Sequence, residues 1–502
     1  MPKQKKKKPG LLQRLALGYL RRSAGFKAAE KDRLKLSWNA RANAMSANEL
    51  IFRDLPTLVS RAREQSINNP YARRFYTLLK TKVIGPRGPR HQNRARLPSG
   101  EPDKVTNAII EEGWKAWAKQ GVCDVTGRYS LIRFLHLWIE TLARDGEILV
   151  REVFGFENKF GYAVQILECD RLDRKLNAEL NNGNIIRMGV EFNEWERPVA
   201  YYLLVQHPGD RYQSIGGQQY ERVPADELIH TLDPWRPHQA RGFPWLHASM
   251  VDLHHVGEYR ESEMIAAEFG AKNIGFYEQN PDALEQAADD NGELIEELEA
   301  GTAQLLPYGI KWVEGMTNHP NANFGDFIRN SLRGVSSGAG ISYPRLANDG
   351  AEMSWSSLRD TELDDRDLYR LLQGFFIDEL MERIGTNWLR MTLLSGALKL
   401  QFSDFDRINK PHFQARGWQW VSPKDEAVAN EKSIRNRTDS RSSVIRSRGE
   451  DPEELFDEIA WEEEILEQKG LLNVEHDTDD DKEQTDDDDD STGESGDTKN
   501  DS

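Results

Sequence analysis

The chain has 502 residues, enough for several compact units, and its formal net charge of −17 is spread unevenly. Residues 1–36 carry 12 basic and 2 acidic side chains, residues 475–502 carry 14 acidic and 2 basic, and the body between them is net acidic; this argues against a dedicated duplex-gripping protein, whose affinity comes from Lys and Arg on phosphates. Two cysteines, Cys123 and Cys169, exclude a disulfide framework and a cysteine zinc cluster, no run approaches the ~18 apolar residues of a membrane span, and the basic start has no small-residue cleavage site of a secretory signal.

In chain order, residues 1–36 read as a disordered basic arm with a short amphipathic helix near 11–22. Its charge suits the acidic body of a neighbouring chain, or DNA. Trp38 to Lys82 reads as helix, with a break at Asn69-Pro70, and Gly85-Pro86-Arg87-Gly88-Pro89 as a turn. Residues 103–119 form a helix on which Val105, Ile109, Trp114 and Trp117 share one buried face. Another helix runs from Ser130 to Ala143 and stops at Asp145-Gly146. Short strands follow at 148–154, 162–167, 185–192, 199–205 and 228–232, an α+β unit that is largely antiparallel.

After Gly242-Phe-Pro a long helix covers about 244–270. Leu246, Met250, Leu253 and Val256 give it a narrow stripe, so it packs on neighbouring helices and not into a deep core. Residues 271–322 read as a small insertion with strands near 274–277, 304–307 and 310–313 around an acidic segment. A second helix spans about 324–337, and 341–354 is a loop. A very long helix runs from Trp355 to Leu394, with Gly374 and Gly385 as places where it can bend. Residues 424–447 and 452–468 are helical and charged, and the chain ends in an acidic tail after about 475. Thirteen Trp point to extensive packed surfaces.

The search for chemistry is mostly negative. Gly334-Val-Ser-Ser-Gly-Ala-Gly340 lacks the Lys of a phosphate loop and follows a helix where such a loop follows a strand. His254 and His255 are adjacent on a helix and point to different faces, so they make no zinc pair. No Gly-x-Ser-x-Gly elbow is present. Glu168, Asp170 and Asp173 near a strand end are the one constellation for a Mg²⁺-dependent nuclease. Basic and aromatic residues mix around Arg61–Arg94, on a helical surface. No cofactor is expected.

The colinear set of features resembles the phage lambda-like portal family, over about residues 38–450. The resemblance is carried by Ser60-Arg-Ala-Arg, Asn68-Asn-Pro-Tyr-Ala-Arg and Val83-Ile-Gly; by Glu140-Thr-Leu-Ala-Arg-Asp-Gly-Glu with the strand after it; by Gln165-Ile-Leu-Glu-Cys-Asp-Arg-Leu and Val199-Ala-Tyr-Tyr; and by Trp418-Gln-Trp-Val-Ser-Pro-Lys-Asp-Glu. Its most specific stretch is Val223-Pro-Ala-Asp-Glu-Leu-Ile-His230 leading to Arg236-Pro-His-Gln-Ala-Arg-Gly-Phe-Pro244. The resemblance implies a portal-type α+β fold assembled as a ring, typically a dodecamer, at one capsid vertex, with double-stranded DNA passing through its axis. The wing would comprise 37–243 and 355–420, the stem helices 244–270 and 323–340, the clip 271–322, the tunnel loop 341–354 and the crown 421–474. The partners implied are the terminase large subunit, a head–tail connector protein, and capsid and scaffold proteins, with the virion as location and no catalysis by the chain itself. Both charged tails lie outside the resemblance.

A narrow-striped helix pair flanking an insertion fits side-by-side packing in a ring. A conduit must let DNA slide, which suits an acidic wall with sparse basic rings. Asp326, Arg329 and Arg333, spaced 3 and 4, share a face of the second stem helix and are candidate channel residues. In the loop, Tyr343, Arg345 and Asn348 are candidates to approach DNA, with Gly350 supplying mobility. Two other readings stand beside the conduit: the nuclease on Glu168, Asp170 and Asp173, and a scaffold or adaptor that binds through its charged tails.

Overall fold

The computed structural model describes residues 46–210, 219–271, 275–279, 310–314, 323–351, 353–418 and 423–470. The charged arm, most of the 271–322 insertion and the acidic tail lie outside the described residues, as do the expected helix near 11–22 and the strand near 304–307. The chain divides into two units, one ending at Arg416 and the other starting at Gly417.

The first unit opens with helix α1 (Ala47–Asn68), N-capped by Ser46. Asn69 alone separates it from α2 (Pro70–Leu79): its side chain caps Tyr71 and Ala72, and Pro70 occupies the first turn, where its missing N–H costs nothing. A π turn (Lys80–Ile84) ends α2. Strand β1 (Arg90–Asn93), helix α3 (Lys104–Trp117) and helix α4 (Leu131–Asp145) follow. The buried face of α3 is Thr106, Ile110, Gly113, Trp114 and Trp117; Val105 is exposed and Ile109 only half-buried, which corrects the face expected from sequence. The two Trp fixed that face correctly, but the stripe continues from them to Ile110 and Thr106.

Strands β2 (Glu147–Phe154) and β3 (Tyr162–Leu167) belong to a three-stranded antiparallel sheet with β9 (Leu228–Leu232), in the order β3-β2-β9. Five short strands, β4 (Ala178–Glu179), β5 (Ile185–Arg187), β6 (Val190–Phe192), β7 (Pro198–Leu204) and β8 (Tyr220–Pro224), make an antiparallel meander in sequence order. The single strand expected over 185–192 is split at Met188-Gly189, where both residues take positive φ. Strand β9 (Leu228–Leu232) returns to β2. Ile51 and Leu55 of α1 pack into a core with Leu149, Leu167, Val190, Leu203 and Leu228, joining helix and both sheets.

Helix α5 (Met250–Ala271) follows a 3-10 turn. Leu246, Met250, Leu253 and Val256 are all buried, as the stripe predicts, while Val251, Met264 and Ile265 stay exposed. Strands β10 (Gly275–Gln279) and β11 (Ile310–Glu314) pair antiparallel. Helix α6 (Phe324–Ala339) packs on α5, where Tyr259 meets Phe327 at 4.7 Å, and its Leu332 and Val335 are buried. A Cβ on Gly338 would lie 2.2 Å from Ser249 Oγ, so a larger residue here would have to displace the hydroxyl that donates to the Val335 carbonyl.

A short helix α7 (Tyr343–Ala347) precedes α8 (Trp355–Phe376). The long helix expected to Leu394 is present, but its irregularity is a π turn at Ile377–Met381, not a bend at either glycine; α9 (Glu382–Leu394) continues from it. After α10 (Phe405–Ile408), strand β12 (Pro411–Gln414) pairs with β1. This pairing, which alternation did not reveal, closes over an aromatic cluster: Trp114 lies 4.9 Å from His91, 4.9 Å from Trp117 and 5.1 Å from Trp388. Burial holds the His91 imidazole down at about 3, so it packs as a neutral ring. The second unit contains α11 (Pro423–Arg435), α12 (Arg441–Ser447) and α13 (Pro452–Gln468).

One buried node ties the first unit together. Arg241 Nε donates to Glu147 at 2.8 and 3.0 Å, and its other nitrogens donate to the carbonyls of Leu172, Met188 and Cys169. His230 Nε2 lies 3.0 Å from Glu147, and the Gly242 N–H donates to it at 2.9 Å. Gly146 and Gly242 touch backbone to backbone: a Cβ on Gly242 would sit 2.0 Å from the Gly146 carbonyl oxygen. Burial alone would raise the Glu147 carboxyl; Arg241 and His230 outweigh it and hold it at about 2.

Replacing Arg241 by Met should therefore cost about 3–5 kcal/mol in urea unfolding, because it strands a buried carboxylate. The folded carboxyl sits below its unfolded value of 4.5, so its contribution is complete above that pH and is lost as pH falls toward 2. Glu147→Gln should remove this part of the acid sensitivity; equal slopes for the variant and the parent would contradict it.

Candidate functional site

The residues singled out from sequence cluster where α6, α7 and α8 meet. On α6, Asp326 is exposed and forms an i,i+3 pair with Arg329 at 3.7 Å. Arg333 is exposed, reaches Asn330 at 3.4 Å and stands 5.6 Å over the Tyr343 ring. By their spacing the three share one side of the helix, with Asp326 and Arg333 exposed, Arg329 half-buried, and Leu332 and Val335 buried.

The segment expected as a free loop is largely built. Pro344 in the first turn favours helix, and Asn348, at φ 55°, closes α7 with its N–H on the Pro344 carbonyl. The Ser342 N–H and hydroxyl both donate to Asp365, at 2.9 and 2.6 Å. Arg345 forms an ion pair with the buried Glu362 of α8, and its carbonyl accepts from Arg74 at 3.2 Å. Tyr343 donates its hydroxyl to Asp349 at 2.8 Å. Burial, then that carboxylate, raises the phenol, while the phenol's hydrogen bond lowers the Asp349 carboxyl. The sequence expectation is thus corrected on conformation: 343–347 is helical, and Tyr343 and Arg345 have partners within the chain. Asn348 and Gly350 remain exposed.

Glu362 gathers more than Arg345. Arg366 approaches it at 3.4 Å and Lys82 of the π turn at 3.7 Å. Cations outnumber carboxylates here. Burial first, then Arg345, Arg416 and Arg366, bring the Lys82 ammonium down to about 8. Gln373 locks the same turn to α8, donating to the carbonyls of Val83 at 3.2 Å and Arg416 at 3.1 Å. The sequence reading missed this knot, since Lys82, Arg345 and Glu362 are far apart in the chain and no spacing links them.

The nuclease constellation is not assembled as a trio. Asp170 accepts from Arg63, which also holds Asp145 at 2.9 Å. Asp173 accepts from Tyr220 at 2.7 Å. Glu168 lies 3.0 Å from His207. Glu168, Asp170 and His207 come within ligand distance of one another, but the Arg63 guanidinium on Asp170 already neutralises the carboxylate a divalent ion would need. Both cysteines are free and buried, and burial pushes the Cys169 thiol well above its usual range.

The family model for phage portal proteins of the lambda type matches residues 31–373, from before α1 almost to the end of α8. The chain belongs to the lambda family of phage portal proteins. A probable portal protein of Halomonas phage phiHAP-1 is 45% identical over 477 residues, covering 91% of this chain and 92% of the relative. Portal protein B of Escherichia phage lambda is 18% identical over 464 residues, covering 84% and 85%. Among solved structures, a chain from the virion of a native gene transfer agent particle aligns with a TM-score of 0.42 at 14% identity, covering 80% of this chain and 94% of that one. A chain from the neck of the native particle aligns at 0.40 and 13%. The portal family match includes the Arg241–Glu147 node and the knot at Glu362. Among the described residues no helix is long and apolar enough to cross a membrane.

Because Lys82 is depressed in the folded portal protein, the unfolded chain binds more protons between about pH 8 and the lysine's ordinary value of 10.5. Stability should rise with pH across that window, and Lys82→Met should flatten the rise. Urea midpoints of parent and variant at pH 7.5, 9 and 10 measure it; identical slopes would count against the knot.

Proposed function

We propose that this portal protein acts as a ring at one capsid vertex, through which double-stranded DNA enters during packaging and leaves during ejection. The observation that carries this reading is membership of the portal family across residues 31–373. Physical support comes from α5 and α6. Each buries only a narrow stripe and leaves charged faces that the other described residues do not cover, as expected of helices packed side by side around an axis. Helices α5 and α6 serve as the stem, the 271–322 insertion as the clip, 341–354 as the tunnel segment and 421–474 as the crown. Twelve subunits is the expected number. The clip offers the docking surface for the terminase large subunit and later the head–tail connector protein, with capsid and scaffold proteins around the wing.

In this reading the chain performs no catalytic step. Asp326, Arg329 and Arg333 face the channel. Repetition around a ring turns one Arg per subunit into a belt of positive charge, enough to hold a phosphate backbone transiently while an otherwise acidic wall lets it slide. Tyr343, Arg345 and Asn348 stand at the segment closest to DNA, with Arg345 restrained by Glu362.

Light scattering and negative-stain imaging of the same purified fraction test the ring. A particle of about twelve chains with an axial hole is expected; a monomer or dimer that persists with scaffold protein and at high concentration would overturn it. Arg329→Ala with Arg333→Ala should leave ring mass unchanged and lower retention of packaged DNA, most clearly at high ionic strength, measured as nuclease-protected genome per particle.

A further inference from the structure

Among the described residues, two surfaces of the first unit carry no partner and are opposite in charge. The outer face of α8 carries Asp360, Leu363, Asp364, Asp367 and Leu371, at helical spacings of 3, 1, 3 and 4. All five are exposed, Leu363 by 47% and Leu371 by 69%. Asp367 pairs with its neighbour Arg370 at 2.9 Å. The opposite face of the helix, with Glu362, Asp365, Tyr369 and Gln373, is buried. Exposed leucines set among aspartates make an amphipathic strip that no other described residue covers.

The second surface is a cavity of about 730 Å³ between the π turn and α4. Lys80, Arg133 and Arg416 line it, with Glu140 as the one carboxylate and Tyr129 and Leu137 as apolar wall. Lys80 and Glu140 satisfy each other at 2.7 Å. That leaves the guanidinium of Arg133, which lies 5.8 Å over the Tyr129 ring, and that of Arg416, which donates to the Thr81 carbonyl. Burial and the nearby Arg366 disfavour the charge on Arg416. The cavity has surplus cation, an apolar wall and room for a few side chains, but not for a duplex. The complement is an apolar strip studded with carboxylates.

The two surfaces cannot meet within one chain. Gln373 on the inner face of α8 holds the carbonyls of the π turn, while Lys80 and Thr81 of that same turn line the cavity. We propose that the Asp360–Leu371 face of α8 on one subunit seats against the Arg133–Arg416 cavity of the next. This is a head-to-tail contact between unlike surfaces, the kind that closes into a ring. The inference rests on the ring reading above and names the surfaces that build it.

Charge reversal tests it on the full-length protein. Asp364→Lys with Asp367→Lys should weaken assembly at least about tenfold, and so should Arg133→Glu with Lys80→Gln, since like charges then face each other. Circular dichroism melts should stay close to the parent, because the aspartates and Arg133 are exposed and the Lys80–Glu140 pair is only half-buried. Mixing the two variants is the decisive arm. Each has one altered and one native surface, so a subunit with a positive α8 face fits only a neighbour with a negative cavity. Alternating rings should form in the mixture although neither variant assembles alone. Assembly of either variant alone at the parent's level overturns the proposal, as does a folded pair that fails to rescue; in both cases a parent that still forms rings leaves the portal reading standing. A parent that never forms rings overturns the ring reading first and this contact with it.

Discussion

The architecture of the first unit depends on one fully buried ion pair, Arg241 with Glu147. A guanidinium and a carboxylate removed from water are costly to solvate, and their attraction offsets that cost only when every remaining donor and acceptor is occupied. Here they are. Arg241 uses its nitrogens on Glu147 and on three carbonyls from two segments, Cys169 and Leu172 in one turn and Met188 in another, and Glu147 also contacts His230 and accepts from the Gly242 amide. The pair therefore acts as a geometric gauge. Moving any of these segments by an ångström would leave a buried charge unpaired. It fixes where β2 starts, how β9 lies on it, and how the chain leaves the sheets toward α5. The path of the chain into α5 is constrained by this contact and by the close approach of Gly146 to Gly242.

A second, less buried knot performs the same task for the segment between α6 and α8. Glu362 collects Arg345, Arg366 and Lys82, and Asp365 holds Ser342. The two knots differ in balance. Around Glu147 the charges are matched, so the node is rigid and insensitive to conditions near neutrality. Around Glu362 cations are in excess, so the knot carries a net positive charge that attracts nearby anions and is screened by salt. The exposed charges of α6 and the outer strip of α8 project from elements whose inner faces these knots and the apolar core hold still.

Several motifs that carried the family resemblance prove to be one physical object. Asp145-Gly146-Glu147, Cys169 to Leu172, His230, and Arg241-Gly242 lie in four separate stretches of sequence, and they meet at the buried node. The long narrow-striped α5, its partner α6, the antiparallel strands and the two buried Trp of α3 were all legible, because each is written in local periodicity. The misreadings have the same origin. Val105 fits a helical stripe by spacing but falls beyond its edge. Residues 343–347 look like loop by composition, yet Pro344 and Asn348 bracket a short helix. The β1–β12 pairing joins segments more than three hundred residues apart and leaves no local mark.

The sequence by itself determined the class of fold, the order of its parts, the family and the charged tails. Those follow from composition, from periods of two and 3.6, and from colinear motifs, all of which act over a few neighbouring residues. Only the tertiary structure decided which charges are spent inside the protein and which remain for partners. Glu362 and Asp364 look alike in the sequence. Glu362 is buried and paired with Arg345, Arg366 and Lys82, while Asp364 is exposed. The free energy of a charge depends on its desolvation and on the group opposite it, and neither is set until distant segments have packed together.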